Sequence, residues 1–489
     1  MTFPLPVLIL GTSLIPALII FGLREEQYTL RTVVNIVGAV LKLVLVIILV
    51  ESAARGVVHE ARLQLAPGLE MLLRADALCL LFVTLSAFLW LLTTIYAIAY
   101  FGTKPDLSRF FGFFSLCVAA TTGIALAGTL ITFFVFYELL TLSTWPLVVH
   151  WGNAASLAAG RKYLVYTLSG SAALLVGIVW LESLVGPIEF GIRPDLERVD
   201  PSVLTSIFVL LVGGLGVKAA LVPLHGWLPA AMVAPAPVSA LLHAVAVVKA
   251  GAFGIVRIVY DVYGIGTVQS LGAGLPLAIL ASVTIIYGSI AALVQSDIKR
   301  RLAYSTVSQI SYIILGTALA GPSATIGGLV HLVHQGLMKI TLFFCAGALT
   351  EEIGVSKVHE LDGAGRRMPW TMLAFTIAAL GMIGVPPVAG FISKWYLGIG
   401  GLQAGQTWVL LVLAGSSLLN AGYFLPLIYR AWFRPPPVGV EAMRAPEPPG
   451  LVWPPVITAL AALAAGLFAG ASYSPLGWST LIVAQRYVP

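Results

Sequence analysis

The chain has 489 residues, of which 59% are hydrophobic and only 10% charged; soluble domains carry roughly 25% charged residues, so a soluble domain with one anchor is excluded. The net charge of +6 is not a nucleic-acid signature, because the basic residues are spread over short loops in the pattern of the positive-inside bias. Cys79, Cys117 and Cys345 stand alone in apolar runs, which excludes a zinc site, an iron–sulfur cluster or a disulfide framework, and no glycine-rich phosphate loop is present; no cofactor and no metal site are expected in this chain.

Apolar stretches of ~20 residues read as membrane-spanning helices, whereas barrel strands would be ~10 residues and alternating. Fourteen are predicted, at about 4–22, 32–50, 75–100, 110–127, 129–149, 163–185, 203–222, 236–260, 275–294, 302–320, 324–349, 371–398, 407–429 and 451–472. The expected fold is an all-α integral membrane protein. The N-terminus lacks the basic start of a secretory signal and is expected to be a retained first helix. With the first connection cytoplasmic, the odd-numbered connections hold fifteen Lys and Arg and the even-numbered ones five (Arg55, Arg62, Arg74, Arg193 and Arg198). That bias places both termini on the outer side.

Basic residues inside the apolar segments come next. Lys42, in the second segment, has no obvious partner, and a snorkelling or lipid-facing reading stays open beside a buried one. Glu138 is the only carboxylate of the fifth segment; apolar residues on both sides argue against a simple reach to the surface. Residues 213–251 hold Lys218, Lys249, His225, His243, four prolines and no acidic residue. A lysine at a helix centre costs about 2.5–3.5 kcal/mol on insertion scales, so such residues face a bundle interior or a water-filled path. This stretch reads as the middle of an ion-conducting route. Arg257, near a helix end, is expected to snorkel. His225 precedes Gly226-Trp227 and reads as structural; His243, about 120° round the helix from Lys249, is a candidate relay without direct contact.

The eleventh segment, GGLVHLVHQGLMKITLFFCAG, carries His331, His334, Gln335 and Lys339. His331, Gln335 and Lys339 share one face and read as a polar bridge, while His334 alone reads as packing. No third ligand accompanies the histidines. Lys394 lies in the twelfth segment. Buried lysines shift readily toward neutrality and exchange protons; a sodium site would need several oxygen ligands, and the membrane interior supplies only Glu138. The pattern therefore favours protons. The plain alternative is a set of independently snorkelling lysines.

Segments 4–8 resemble segments 9–13. Pro223-Leu-His-Gly-Trp227 matches Pro387-Val-Ala-Gly-Phe391, Lys249-Ala-Gly-Ala-Phe253 matches Asn420-Ala-Gly-Tyr-Phe424, and Tyr137-Glu138 matches Tyr304-Ser305. A repeat with an odd number of spans enters the membrane inverted, a recurrent transporter architecture. Pro223 and the pair Pro386-Pro387 are expected to break helices 7 and 12. The predicted units are 1–109 (helices 1–3), 110–260 (first repeat), 261–434 (second repeat) and 435–489 (helix 14).

Four motifs, VKAALVPLHGWLPAA, APAPVSALLHAVAVVKAG, QSDIKRRLAYSTVSQISY and GVPPVAGFISKW, resemble in order those of the antiporter-like subunits shared by respiratory complex I, membrane-bound hydrogenases and Mrp-type cation/proton antiporters. The resemblance spans roughly residues 70–435, and LDGAGRRMPWTMLAF from Leu361 is most similar to the Mrp antiporter D subunit. The resemblance implies fourteen helices, two inverted five-helix repeats, and a half-channel in each repeat joined by a central polar axis. It implies that Glu138 is the helix-5 glutamate, Lys218 the helix-7 lysine it modulates, Lys249 the connecting residue, His331 and Lys339 helix-11 members, and Lys394 the exit residue. Gln335 stands where many relatives have a second histidine; water or His334 would substitute. The short tail after helix 14 implies one of the shorter, middle-position subunits.

The expected function is proton translocation within a multisubunit complex of a prokaryotic inner membrane, in partnership with other hydrophobic subunits. A cation(Na+)/H+ antiporter of Mrp type leads. The alternatives are a complex I-like or hydrogenase proton pump, an inorganic-carbon uptake complex, and a scaffold without transport. No redox or hydrolytic centre is expected in the chain, so enzyme status rests on the parent complex.

Overall fold

The computed structural model describes residues 4–66, 69–436 and 444–487; the predicted C-terminal unit at 435–489 therefore lies partly outside the described residues. The predicted segments are helices: α1 (Leu5–Phe21), α2 (Tyr28–Ala54), α3 (Ala77–Phe101), α4 (Leu107–Leu126), α5 (Leu130–Val148), α6 (Ala154–Val185), α7 (Pro201–Lys218, resuming at Trp227–Ala230), α8 (Ala236–Ala244 and Val247–Arg257, running on to Ser270), α9 (Gly274–Leu293), α10 (Ile298–Ala318), α11 (Pro322–Ile353), α12 (Pro369–Ile383 and Gly390–Gln403), α13 (Trp408–Phe433) and α14 (Pro449–Leu467). A short α15 (Pro475–Ile482) follows. Among the described residues, eleven helices are long and apolar enough to cross a membrane. The short α1, the charged α10 and the interrupted α12 bring the set to the predicted fourteen.

Several helices begin on a side-chain cap at a segment end where the apolar run starts. Asp76 accepts from Cys79 N at 2.7 Å, Asn153 from Ser156 N at 2.8 Å, and Asp297 from Arg300 N at 2.8 Å. Each such cap is worth about 1 kcal/mol.

The breaks in α7 and α12 fall where the prolines predicted them, and each carries a cis X–Pro bond, at Val222–Pro223 and Pro386–Pro387. A third break was not predicted. The eighth segment, expected as one helix, is interrupted at Val245 and Ala246, with Ala246 at φ −95°, ψ −88°. No proline or glycine marks that point, so nothing in the local sequence signals it. A second addition to the all-α expectation is a hairpin between α2 and α3, formed by β1 (His59–Ala66) and β2 (Leu69–Ala75), paired antiparallel from His59↔Ala75 to Ala66↔Leu69.

α11 is the pillar of the molecule. It is buried continuously from Ala324 to Leu349 and packs against α3, the first piece of α8, α10, both pieces of α12, and α14. At the α12 break, Gly384 has φ +96°, a left-handed turn that suits glycine. A Cβ on Gly390 would lie 1.9 Å from the Gly381 carbonyl oxygen, so the two arms of the break touch backbone to backbone.

Arg257 does not snorkel. It is buried, donating to Asp76 at 2.7 and 3.0 Å and to Asp261 at 2.6 Å. A guanidinium with two carboxylates in reach gains charge-assisted bonds that the sequence distance of Asp76 concealed. Lys42 is also fully buried, which closes the lipid-facing reading.

The hairpin is tied down by charge. Arg62 pairs with Glu60 and Glu70, each at 3.3 Å, and with Glu189 at 3.1 Å; Arg74 pairs with Glu60 at 2.9 Å and with Glu189. Arg74, then Arg62, hold the Glu60 carboxyl below its usual value. A carboxylate with a depressed folded value contributes stability above its unfolded value, about pH 4.3, and loses it as pH falls through the folded one. Amide exchange across residues 59–75, corrected for its intrinsic pH dependence, should therefore rise between about pH 5 and about pH 3. Glu60→Gln should raise it at neutral pH; unchanged protection in that variant would refute the cluster's role. Gly390→Ala should lower the detergent stability of the chain by at least the ~1–3 kcal/mol of an overpacked core, read from its thermal midpoint.

Candidate functional site

Lys218 closes the first piece of α7. It is fully buried, donates to the Tyr137 carbonyl at 2.5 Å, and sits 3.2 Å from the Tyr137 ring centroid. The chain then turns through Ala220, whose φ of +55° is rare without glycine. Backbone groups freed by this break find partners: Trp227 Nε1 donates to the Val217 carbonyl at 2.7 Å, and Val222 N donates to Thr284 Oγ1 of α9 at 3.1 Å.

Glu138, one residue beyond Tyr137 on α5, is half-buried. It accepts from Ser171 Oγ of α6, and from Thr141 Oγ1 at 3.5 Å. Among the described residues Glu138 makes no ion pair with Lys218; Tyr137 stands between them as the lysine's own acceptor.

Lys249 lies just past the α8 break. It is fully buried and reaches α11, donating to the Leu332 carbonyl at 2.5 Å. The next residue back, His331, shares a hydrogen bond of 2.8 Å between Nδ1 and Ser393 Oγ on α12, with its ring 5.1 Å from that of Tyr312. His334 is fully buried, and neither of its ring nitrogens meets a protein partner. His243 holds its ring 4.6 Å from that of Phe343, tilted by 34°. Its ring nitrogens, the side-chain amides of Gln309 and Gln335, and His331 Nε2 meet no protein partner. Buried polar groups are almost always satisfied, and water, with ~3 hydrogen bonds per buried molecule, suits such a cluster.

The second repeat holds an unbroken series of contacts. Lys339 donates to Ser305 Oγ at 2.6 Å and to the Leu302 carbonyl at 3.2 Å. Ser305 Oγ and Tyr423 Oη are 2.8 Å apart, and Tyr423 Oη donates to Asn420 Oδ1 at 2.6 Å. Asn420 Nδ2 donates to the Met382 carbonyl at 3.0 Å. Lys394 donates to that same carbonyl at 3.2 Å, to the Ile383 carbonyl at 2.7 Å, and to Ser417 Oγ at 2.9 Å. The two lysines, far apart on different helices, are thus ends of one network.

Of the residues singled out by sequence, Lys249, His331, Lys339 and Lys394 gather around α11, and Glu138 and Lys218 flank Tyr137. His225, half-buried against Tyr287 at 4.9 Å and Tyr304 at 6.2 Å, belongs to the α7 break and not to the network. Pro223, Pro386 and Pro387 lie in the turns. Ser305, Tyr423, Ser393 and Ser417 were missed as site residues. The repeat already paired Ser305 with Glu138 and Asn420 with Lys249, which was the available signal.

Comparison with known proteins shows the family. Residues 127–420 match the family model described as NADH:quinone oxidoreductase/Mrp antiporter, TM. The N subunit of the NADH-quinone oxidoreductase of Desulforudis audaxviator is 36% identical over 424 residues, 82% of each chain. The D subunit of the Na(+)/H(+) antiporter of Bacillus subtilis is 28% identical over 432 residues, 86% of this chain and 85% of its own. A chain of the Mrp complex from Dietzia sp. DQ12-45-1b superposes with a TM-score of 0.85 at 24% identity, covering 99% of this chain and 98% of that one, a likeness of fold. With the model spanning more than half of its length and a relative above 30% identity along most of it, this chain belongs to the transmembrane family shared by NADH:quinone oxidoreductases and Mrp antiporters.

Proposed function

We propose that the chain is the proton-translocating, antiporter-like subunit of a multisubunit cation/proton antiporter of Mrp type, working beside other hydrophobic membrane subunits. The observation that carries the transport reading is the series from Lys339 through Ser305, Tyr423 and Asn420 to the Met382 carbonyl, which accepts from both Asn420 and Lys394, so that the two ionisable ends share one buried polar network. In this reading a proton loads the Glu138 and Lys218 region, passes Lys249 and the α11 residues His331, His334 and Lys339, and leaves by Lys394. His243 is a relay beside Lys339. Pro223, His225, Pro386 and Pro387 hold the breaks open. Residues 110–260 and 261–434 act as two inverted half-channels.

Moving one charge against about 100 mV costs ~2.3 kcal/mol. The chain in this reading holds no cofactor, so that energy comes from an ion gradient, with cation efflux coupled to proton entry. The setting is a prokaryotic inner membrane, with both termini on the outer side as the loop charges favour. The extended match to the Bacillus subtilis antiporter chain and the end-to-end fold likeness to the Mrp complex support the antiporter assignment. The 36% identity to a chain of an NADH-quinone oxidoreductase favours a second reading, a redox-driven pump whose electron carriers sit in partner subunits.

Two experiments test this. In the assembled complex, Lys218→Ala and Lys394→Ala should abolish proton-coupled transport, and Tyr423→Phe should slow it by about tenfold, the equivalent of ~1.4 kcal/mol. An assembled Lys218→Ala complex that transports normally would mean a scaffold. Gentle purification of the native complex, with mass spectrometry and flavin and metal assays, separates the parents. Small hydrophobic partners without cofactors are expected; flavin-, iron–sulfur- or nickel-containing partners would overturn the antiporter assignment.

A further inference from the structure

α2 and α3, which precede the two repeats, and α4, the first helix of the first repeat, enclose a polar column that the path above does not use. The buried face of α2 carries Arg31, Asn35 and Lys42. α4 answers with Ser108, Ser115 and Thr122, seven residues apart and so on one face. The rungs match in order. Arg31 NH1 donates to Ser108 Oγ at 2.9 Å, Ser115 Oγ donates to Asn35 Oδ1 at 3.1 Å, and Lys42 Nζ donates to Thr122 Oγ1.

The third wall is α3. The Trp90 ring centroid lies 5.1 Å from Lys42 Nζ. Ser86, Trp90 and Thr94, four residues apart on that same face, are fully buried. Ser86 Oγ, Trp90 Nε1 and Thr94 Oγ1 meet no protein partner.

The column has a wet end and a deep end. At the first, Arg31 approaches Glu25 at 3.7 Å, and the Glu25 side chain is 44% exposed. Glu25 also caps α4, accepting from Leu107 N and Ser108 N at 2.9 Å each. At the other, eleven residues or ~16 Å further along α2, Lys42 sits near the middle of the helix. An ammonium has three donors. Thr122 takes one and itself donates to the Val118 carbonyl at 2.7 Å, and Trp90 offers only its ring. The groups facing Lys42 are thus a hydroxyl from α4 and an indole from α3, while Cys117 of α4 turns to Ser143 and Thr144 of α5. No ion pair of Lys42 occurs among the described residues. Leaving a buried charge so sparsely partnered is costly, and the open hydroxyl and indole groups beside it are the kind that water satisfies.

We propose that this column is a third water-accessible proton site of the chain, in which Lys42 binds the proton and Arg31, Asn35, Ser108 and Ser115 line its access from the α1–α2 loop. Its part in transport rests on the proton-carrying reading above; its water access does not. A proton delivered by column water is taken by the neutral Lys42 amine and returned to water when the ammonium releases it.

The test uses the assembled complex in membrane vesicles, with Cys79, Cys117 and Cys345 replaced by serine. A membrane-impermeant methanethiosulfonate added from the α1–α2 loop side should label Asn35→Cys about tenfold faster than Val37→Cys, whose parent residue faces outward at 56% exposure. Lys42→Arg keeps the charge and a donor to Thr122 but cannot release a proton. It should shift or flatten the pH profile of transport in a complex that still assembles, whereas a mere tie between α2 and α4 would leave the profile native. Labelling of Asn35→Cys no faster than Val37→Cys, or a native pH profile in Lys42→Arg, would overturn the proposal. Loss of the Lys218 effect with Asn35 labelling intact would indict the transport reading instead.

Discussion

The interrupted helices α7 and α12 answer one constraint: a peptide group in hydrocarbon must find a partner inside the protein. Breaking a helix frees carbonyls and amides, and at α7 and α12 side chains and neighbouring helices claim them. At α12, the Met382 and Ile383 carbonyls are taken by Lys394 and Asn420, and Ala389 N donates to the Ala462 carbonyl of α14 at 3.1 Å. At α7, Trp227 and Thr284 do the same work. The buried cations are therefore part of the fold's solution as well as of its chemistry. Lys394 is held by the gap that its own helix leaves.

The two repeats solve the problem with different materials. The first presents a carboxylate, Glu138, held by Ser171 beside Tyr137. The second has Ser305 in the matching place and spans the distance to Lys394 with Tyr423 and Asn420. A half built on a carboxylate responds strongly to charge in its surroundings, because an ionised group moves the energy of every nearby ion. A half built on hydroxyl and amide groups carries no such charge of its own and responds less.

Much of this was legible beforehand. Fourteen apolar runs and prolines at residues 223, 386 and 387 led to the right fold, and the lysines that cannot rest in lipid are buried as expected. What was hidden has physical causes. The α8 break rests on Val245 and Ala246, residues that favour no turn, so nothing local announces it. The hairpin is short and lies between long helices, where its alternation carries little weight. Arg257 read as a snorkelling residue because one of its two carboxylate partners, Asp76, is 181 positions away in sequence. Ser305 and Tyr423 are ordinary residues in membrane helices, and only the neighbourhood of Lys339 gives them meaning.

The seat of α14 on the α12 break has a mechanical consequence. A Cβ on Gly466 would lie 1.9 Å from the Pro387 carbonyl oxygen, and the Ala389–Ala462 bond pins the same turn. On its other side α14 presents Trp453, Leu460 and Leu467, each more than half exposed. The helix is thus a pushrod: sideways force from lipid or a neighbouring chain reaches the turn that holds Lys394, and α14 cannot slide without either carrying Ala389 along or breaking its bond.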